Sequence, residues 1–278
     1  MIMWKKWGNA ALYAVLTIFA GFFILPLLYA VYTSLKDLQD VEKLVVGFDK
    51  LSFDSYTRII VNYQNAGGGI GKWYLNTIIM TGIIVIGSCI ISSMAGFALA
   101  KLKFPGRNAI FIIVLATMMI PYQMILIPVY IMMAKLQWLN TFAALTVPYL
   151  YQSIYIFLMR QFISTLPNEL LEAARIDGVT KAGAFFKVIL PLTKPALATI
   201  VILSVTGTWN SYLIPTTFVN RESMYTLVQG LNAAKDQFFD RVNVTMAGVV
   251  LTTIPVIIVF LMFQKYYIEG VASTGIKG

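Results

Sequence analysis

The chain has 278 residues, of which 59% are hydrophobic and only 12% are charged, and its mean hydropathy is +0.77. A soluble domain carries about 25% charged residues, so this composition leaves too few charges to cover a water-facing surface and argues against a soluble globular protein. The chain contains no histidine and a single cysteine, Cys89. Because the commonest metal ligand and general base is missing, we expect no metal site, no cofactor and no catalytic residue.

Six apolar runs along the chain are each long enough for the roughly 20 helical residues that cross a bilayer. They predict an all-α integral membrane protein with six transmembrane helices in a single domain, residues 1–278. The predicted spans are residues 10–35, 75–100, 108–134, 141–159, 196–218 and 244–264. The first run is too long for the apolar core of a signal peptide and has no clean cleavage site after it, so we expect it to be retained.

Lysine and arginine residues in the short links indicate the orientation, because they accumulate on the cytoplasmic side of membrane proteins. With the N-terminus inside, the interior face receives 12 of the 21 basic residues and four of the 12 acidic ones. Nearly all of the +9 net charge then lies on one face. The chain is therefore predicted to be a multi-pass protein of the cell membrane with both termini cytoplasmic, and the charge needs no nucleic acid partner to explain it.

Prolines interrupt these runs, and each removes a backbone hydrogen bond and usually kinks a helix. They are Pro26, Pro121, Pro128, Pro148, Pro215 and Pro255. In a bilayer the freed carbonyl groups need a neighbouring helix or a watery cavity. Static kinks and a pathway lined by bent helices both fit this pattern.

The interior loop, residues 160–195, is too long for a tight link and is patterned. Pro167 suits the first turn of a helix, and Glu169 and Glu172 follow where the helix dipole favours acidic side chains. Gly178 comes where this helix should end, in a position that often needs a positive φ. A second amphipathic stretch, residues 181–190, ends at Pro191. We predict a short helix, a sharp turn and a second helix, with small side chains at the tip that suit docking into a groove.

The spacing within this loop resembles the EAA motif of ATP-binding cassette (ABC) importer permeases. Glu172-Ala173-Ala174 is followed after three residues by Gly178 and later by Val188, Leu190 and Pro191. Val188 is a departure, since the family usually has isoleucine there. The surrounding residues, including Asp177, look like the carbohydrate branch, and the resemblance covers the whole chain.

Two further segments look like the same branch. Trp209-Asn210-Ser211-Tyr212 is similar to a Trp-Asn-aromatic run in the fifth span of sugar permeases. The C-terminal residues 270–278 look like the tail of the smaller permease of maltose-type importers, which reaches between the two ATPase subunits. The resemblance thus implies a type I ABC importer permease fold with a cytoplasmic tail, residues 265–278, that contacts the ATPase through Thr274, Gly275, Lys277 and Gly278.

The resemblance also implies the partners and the coupling residues. The partners are a second, different permease subunit, an ATPase dimer, an extracellular solute-binding protein that touches the 218–243 segment, membrane lipid and a sugar or oligosaccharide. In the family the 160–195 loop forms a coupling helix that seats in a cleft of the ATPase. Its residues here are Glu172, Ala173, Ala174, Asp177, Gly178, Leu190 and Pro191. This chain itself lacks a phosphate-binding loop: Gly71-Lys72 is followed by Trp73 rather than by serine or threonine.

Polar and aromatic residues within the predicted spans are candidates for the substrate path, since sugars bind aromatic faces and hydrogen-bonding side chains. They are Tyr122, Gln123, Gln152, Trp209, Asn210 and Tyr212. The same residues could instead serve membrane interfaces or bonds between helices. The alternative function is an ABC permease for a non-sugar solute, such as an osmolyte or peptide. A membrane enzyme is a third hypothesis, which the absence of histidine and of buried acid pairs disfavours.

Overall fold

All regular secondary structure in the part of the chain described here is helical. The computed structural model describes residues 2–43, 47, 51–62, 68–235 and 241–275. The α-helices within these ranges are α1 (Ile2–Ser34), α2 (Leu38–Glu42), α3 (Asp54–Asn62), α4 (Gly69–Lys101), α5 (Arg107–Thr117), α6 (Tyr122–Lys135), α7 (Phe142–Thr146), α8 (Ser153–Thr165), α9 (Glu169–Ile176), α10 (Lys181–Ala184), α11 (Leu190–Leu192), α12 (Lys194–Trp209), α13 (Leu213–Phe218), α14 (Leu227–Lys235) and α15 (Val242–Gly275). Short 3-10 turns lie at Val147–Tyr149 and Glu222–Met224, and a π-helical stretch lies at Phe185–Ile189.

Three helices are continuous, apolar and long enough to cross a membrane. They contain Leu12–Ser34 in α1, Gly69–Lys101 in α4 and Val242–Tyr266 in α15. Large apolar side chains on these helices are widely exposed, among them Phe23 of α1 at 73% and Ile86 of α4 at 63%. Surface of this kind is unfavourable in water and suits contact with lipid, so these helices are those of a multi-pass membrane protein.

Three bent pairs of helices would bring the total in the described ranges to six if each pair were one span, by length and composition. The α5–α6 pair bends by 98°, the pair of Phe142–Tyr149 with α8 by 42°, and the pair of Lys181–Leu192 with α12 by 73°. Prolines explain two of these breaks. Pro121 immediately precedes α6 with an extended ψ of 133°, and Pro148 lies in the 3-10 turn before α8. A proline has no N–H to continue the hydrogen-bond ladder.

The fifth predicted span differs from the helices observed. The apolar run 196–218 predicts one helix, but α12 ends at Trp209 and α13 begins at Leu213. Pro215 cannot donate to the carbonyl of Ser211, four residues earlier. The Asn210 side chain also donates to the Thr206 carbonyl at 3.0 Å, and such side-chain bonds compete with the helix. A non-helical segment, residues 210–212, therefore lies within a run that is apolar throughout.

Packing divides the chain into two compact units, and the expectation of one transmembrane domain remains a prediction. The first unit comprises Met1–Ile70 and Leu231–Ile254. Within it, the start of α15 is held to the segment after α1, because the Asn243 side-chain amide donates to the Lys36 carbonyl at 3.0 Å. The Ser34 hydroxyl, at the end of α1, also hydrogen-bonds the Tyr56 hydroxyl of α3 at 2.8 Å.

The second unit comprises Gly71–Gly230 and Pro255–Gly278, and α4 is its best-packed long helix. Small residues let α8 approach closely: a Cβ added at Gly96 would lie 2.7 Å from Met159 Cγ and 2.9 Å from the Arg160 backbone nitrogen. One face of α4 also contributes the Ser88 hydroxyl, which donates to the Leu150 carbonyl at 3.2 Å. Close approach through small residues is the usual packing between membrane helices.

Candidate functional site

Helix α9 forms the first half of the 160–195 loop, where the sequence predicts a helix. Its first turn contains Glu169 and Glu172, and its last turn contains Arg175, so the charges complement the helix dipole at both ends. The connection from α8 into α9 is held by Lys101 of α4. Its Nζ donates to the Leu166 carbonyl at 2.5 Å and to Asn168 Oδ1 at 2.8 Å.

Gly178 ends this helix with a φ of 73°, which confirms the predicted left-handed residue. Two backbone bonds close the end of α9: Val179 N–H donates to the Ala174 carbonyl at 2.9 Å, and Gly178 N–H donates to the Arg175 carbonyl at 3.1 Å. Together they make a Schellman motif. A Cβ added at Gly178 would meet no atom within 4 Å, so the constraint on this glycine within the chain comes from backbone conformation alone.

The tip of the loop presents one large apolar side chain that the sequence pattern did not single out. Ile176 is 86% exposed, beside the exposed Ala173 and Asp177. Ala174, another predicted coupling residue, is only 6% exposed and does not share an exposed face with Gly178. Its spacing of four residues from Gly178 would align them only in a continuous helix, and the chain has already turned at Gly178.

The second half of the loop returns the chain to α12. Thr180 caps α10, since its hydroxyl accepts from Gly183 N–H at 3.1 Å, and the π-helical stretch follows. Phe185 in this stretch is buried and packs against Phe97 of α4, with ring centroids 5.2 Å apart. Leu190 packs against the same apolar cluster, whereas Pro191 is exposed. Of the two predicted coupling residues here, Leu190 therefore anchors the loop and Pro191 remains on its surface.

The substrate-path candidates fall into different surroundings. The Tyr122 and Tyr149 hydroxyls hydrogen-bond each other, and both rings join an apolar cluster with Phe218. Gln123 next to Tyr122 is exposed, and Gln152 directly precedes α8 in extended conformation, next to the break after Tyr149. Tyr122 thus has a packing role, whereas the two glutamines leave their amides available near helix breaks.

The remaining candidates surround the break between α12 and α13. Trp209 is only 5% exposed and its ring lies 6.0 Å from that of Tyr74. Asn210 and Tyr212 are exposed, and the Tyr212 ring side chain has 49% of its surface accessible. Non-helical backbone at membrane depth is tolerated where it is buried in protein or lines a watery cavity. Among the described residues, this break combines non-helical backbone with the exposed amide of Asn210 and the exposed phenol of Tyr212.

Contacts of long range fix the 218–230 segment, and no sequence pattern predicts them. Asn76 of α4 donates through Nδ2 to the carbonyls of Ser223 and Tyr225 at 3.0 and 2.9 Å. The Thr77 hydroxyl accepts from Leu227 N–H at 2.8 Å. Asn140, which has a φ of 60°, accepts through Oδ1 from the backbone N–H groups of Asn220 and Arg221 at 2.8 and 3.0 Å. The exposed tip, residues 220–223, is therefore held on a fixed base.

The C-terminal candidates are described only in part. Helix α15 continues through Gly275, so the backbone of Thr274 and Gly275 is helical where a separate tail was predicted. Unbroken backbone hydrogen bonding from the last span explains this continuation. Lys277 and Gly278 lie outside the described residues.

Comparisons with known proteins bear on this arrangement. Residues 88–272 match the family described as the inner membrane component of binding-protein-dependent transport systems. The chain is 35% identical over 259 residues to the arabinooligosaccharides transport system permease protein AraQ of Halalkalibacterium halodurans, covering 92% of this chain and 91% of that protein. It is 34% identical over 210 residues to the sn-glycerol-3-phosphate transport system permease protein UgpE of Yersinia pestis, covering 73% of each.

A solved structure is similar over nearly the whole chain. It is the crystal structure of a bacterial ABC transporter involved in the import of the acidic polysaccharide alginate, with a TM-score of 0.77, 27% identity and coverage of 95% of this chain and 97% of that one. The family match spans well over half of the chain and includes α9, Gly178 and the α12–α13 break. The chain therefore belongs to the family of inner membrane components of binding-protein-dependent transport systems, and it is an ABC transporter permease subunit, a transport component rather than an enzyme.

Proposed function

We propose that the chain is one of two different permease subunits of an ABC importer for a sugar or oligosaccharide. An extracellular binding protein delivers the solute, and a dimer of separate ATPase subunits supplies the energy. The distribution of basic residues supports a cell-membrane protein with both termini cytoplasmic. The observation that carries the proposal is the exposed tip of the 160–195 loop, where Ile176 projects beside the turn at Gly178.

The tip of this loop suits docking into a cleft of the ATPase. Ile176 is the last residue of α9 and is almost fully exposed, in a loop that the charge distribution assigns to the cytoplasm rather than to the bilayer. Fully burying an isoleucine side chain stabilises a complex by roughly 1.5–3 kcal/mol. Ala173 and Gly178 beside it are small, so the partner's surface can approach the backbone closely. Glu172 and Asp177 add acidic groups on the same exposed tip.

The 218–230 segment suits contact with the binding protein on the opposite face. Its tip, residues 220–223, is exposed, whereas the flanking Val219 and Leu227 are 2% and 0% exposed. A tip held on a buried base loses little conformational freedom on binding, and this favours affinity.

The break between α12 and α13 is the best-supported part of a solute path. It offers the Asn210 amide and the Tyr212 phenol, both exposed. Gln123 lies just after the break between α5 and α6, and Gln152 lies just before α8, after the break that follows Tyr149. Discontinuous helices recur at the binding sites of membrane transporters. An aromatic ring beside amide groups is chemistry that suits a sugar, and the similar proteins include a permease of an arabinooligosaccharides transport system and a transporter involved in alginate import.

A phosphorylated polyol is the second candidate solute, because the Yersinia pestis relative belongs to an sn-glycerol-3-phosphate system. The break itself contains no basic residue: Asn210, Ser211 and Tyr212 are neutral. A phosphate dianion would be expected to need arginine or lysine contacts. This local neutrality favours the sugar.

The proposal is tested by reconstitution of the chain with its companion permease, the ATPase and the binding protein in liposomes that contain ATP. We expect uptake of radiolabelled arabinotriose or another neutral oligosaccharide, together with solute-dependent ATP hydrolysis. The chain alone is the matched control and should show neither. ATP-dependent uptake by the chain alone would contradict the need for separate ATPase subunits. Uptake of sn-glycerol 3-phosphate without uptake of any saccharide would contradict the proposal that the solute is a sugar.

A further inference from the structure

The C-terminal end of α4 holds both halves of the 160–195 loop. Lys101 donates to the Leu166 carbonyl and to Asn168 Oδ1, at the entry to α9. One turn earlier, Phe97 packs its ring against Phe185 in the π-helical stretch, on the way out of the loop. Residues four apart lie on the same face of a helix, so a single face of α4 contacts the loop on either side of its exposed tip.

The contact made by Lys101 sets the angle at which α9 leaves α8. Leu166 directly follows the end of α8, where carbonyl groups lack helical partners and a cation is favourable. Asn168 is the N-cap of α9, but its side chain makes no capping bond to its own helix; its Oδ1 accepts from Lys101 instead. One ammonium group therefore joins the end of α8, the start of α9 and the end of α4.

The other end of α4 holds the 218–230 segment. Asn76 and Thr77 bind the backbone of residues 223–227, as described above. Helix α4 contains 33 residues without a break or an internal proline, which corresponds to about 50 Å at the helical rise. The same unbroken helix thus contacts both segments that the proposed function assigns to protein partners.

We propose that Lys101 is the positioning residue that couples the 160–195 loop to α4, with Phe97 as its apolar counterpart. This inference rests on the proposed function, in which an ATPase displaces the loop tip. Lys101 transmits that displacement because it fixes the start of α9 to α4. Without it, the tip still docks, but its movement is absorbed at the connection between α8 and α9.

The test compares Lys101→Met, Lys101→Arg and Lys103→Met in the reconstituted importer. Methionine keeps most of the side-chain length and removes the donors, whereas arginine keeps them; Lys103 lies two residues away, is exposed and gives the same change in charge. The readouts are co-purification with the ATPase and the number of ATP molecules hydrolysed per arabinotriose imported. We expect Lys101→Met to co-purify normally but to hydrolyse several-fold more ATP per solute, Lys101→Arg to retain most of the coupling, and Lys103→Met to match the wild type.

Two outcomes would overturn the inference. Wild-type coupling in Lys101→Met would show that the loop transmits movement without this contact, and equal loss in the methionine and arginine variants with reduced co-purification would show a role in folding alone. If Lys101→Met fails to insert, Phe97→Leu serves the same purpose, because it keeps an apolar side chain and removes the ring contact with Phe185; wild-type coupling in it would overturn the inference. A wild-type importer without solute-dependent hydrolysis would instead refute the proposed function, and this inference with it.

Discussion

The two segments assigned to protein partners are built in different ways. The tip of the 160–195 loop is shaped by bonds between near neighbours, such as the cap at Thr180 and the backbone bonds that close α9 around Gly178. The 218–230 segment is shaped by side chains from far along the chain, since Asn76 and Thr77 bind it across 147–150 residues. The first segment leaves an apolar side chain exposed at its tip and the second buries its apolar residues. Under the proposed function, the first segment docks and moves with the ATPase, whereas the second holds a fixed shape.

The largest expected effect is at the loop tip. Ile176→Asp removes the exposed apolar side chain and places a charge where the ATPase cleft should bury it. A loss of roughly 1.5–3 kcal/mol corresponds to about 10- to 100-fold weaker binding of the ATPase, and transport should fall with it. Co-purification normalised to membrane-inserted permease measures this, with Lys181→Ala as the exposed control. Unchanged co-purification of the Ile176→Asp variant would show that the loop tip does not contact the ATPase.

The next effect is at Gly178. Gly178→Ala has room for its methyl group and suffers only the left-handed strain of about 1–2 kcal/mol. Gly178→Leu adds a side chain that would occupy the cleft, where overpacking costs about 1–3 kcal/mol more. We expect both proteins to insert normally and the leucine variant to bind the ATPase more weakly than the alanine variant. Equal binding by the two would mean that Gly178 shapes the loop but lies outside the contact.

A third effect separates Ala173 from Ala174. Ala174 is buried within the loop, so Ala174→Leu should overpack it by about 1–3 kcal/mol and increase its proteolysis in the isolated permease. Ala173→Leu changes an exposed position and should leave proteolysis unchanged while weakening the ATPase complex. Limited proteolysis of the two variants, with and without the ATPase, distinguishes them. Increased proteolysis of Ala173→Leu together with weaker ATPase binding by Ala174→Leu would contradict the assignment of Ala174 to the interior of the loop and Ala173 to the contact surface.

The smallest effect on coupling is expected in the 218–230 segment. Thr77→Val removes the acceptor for the buried Leu227 N–H, and an unpaired buried donor costs about 1–3 kcal/mol. The result should be a lower thermal unfolding temperature and weaker stimulation by the binding protein. Co-purification with the ATPase should stay at the wild-type level. Loss of the ATPase from this variant would show that the two segments are not separate in function.

The same contrast explains which features the sequence predicts. The helix that ends at Gly178 is visible in a short window, because capping, charge placement and a left-handed glycine are local properties. The burial of Ala174 and the exposure of Ile176 are not visible there, since they depend on how the turn packs against the rest of the loop. The bonds of Asn76 and Asn140 to the 218–230 segment join distant residues. In an apolar run, the break after Trp209 is indicated only by Asn210 and Pro215.

The central claim, that the loop tip docks into a separate ATPase, is tested most directly by labelling the tip. Cys89 is the only cysteine of the chain, so Ile176→Cys in a Cys89→Ser background introduces a single thiol. In inside-out vesicles, a membrane-impermeant maleimide should label this thiol in the permease alone and leave it unlabelled in the assembled importer. A matched thiol from Lys103→Cys should be labelled in both. Equal labelling of the Ile176→Cys variant with and without the ATPase would contradict the account.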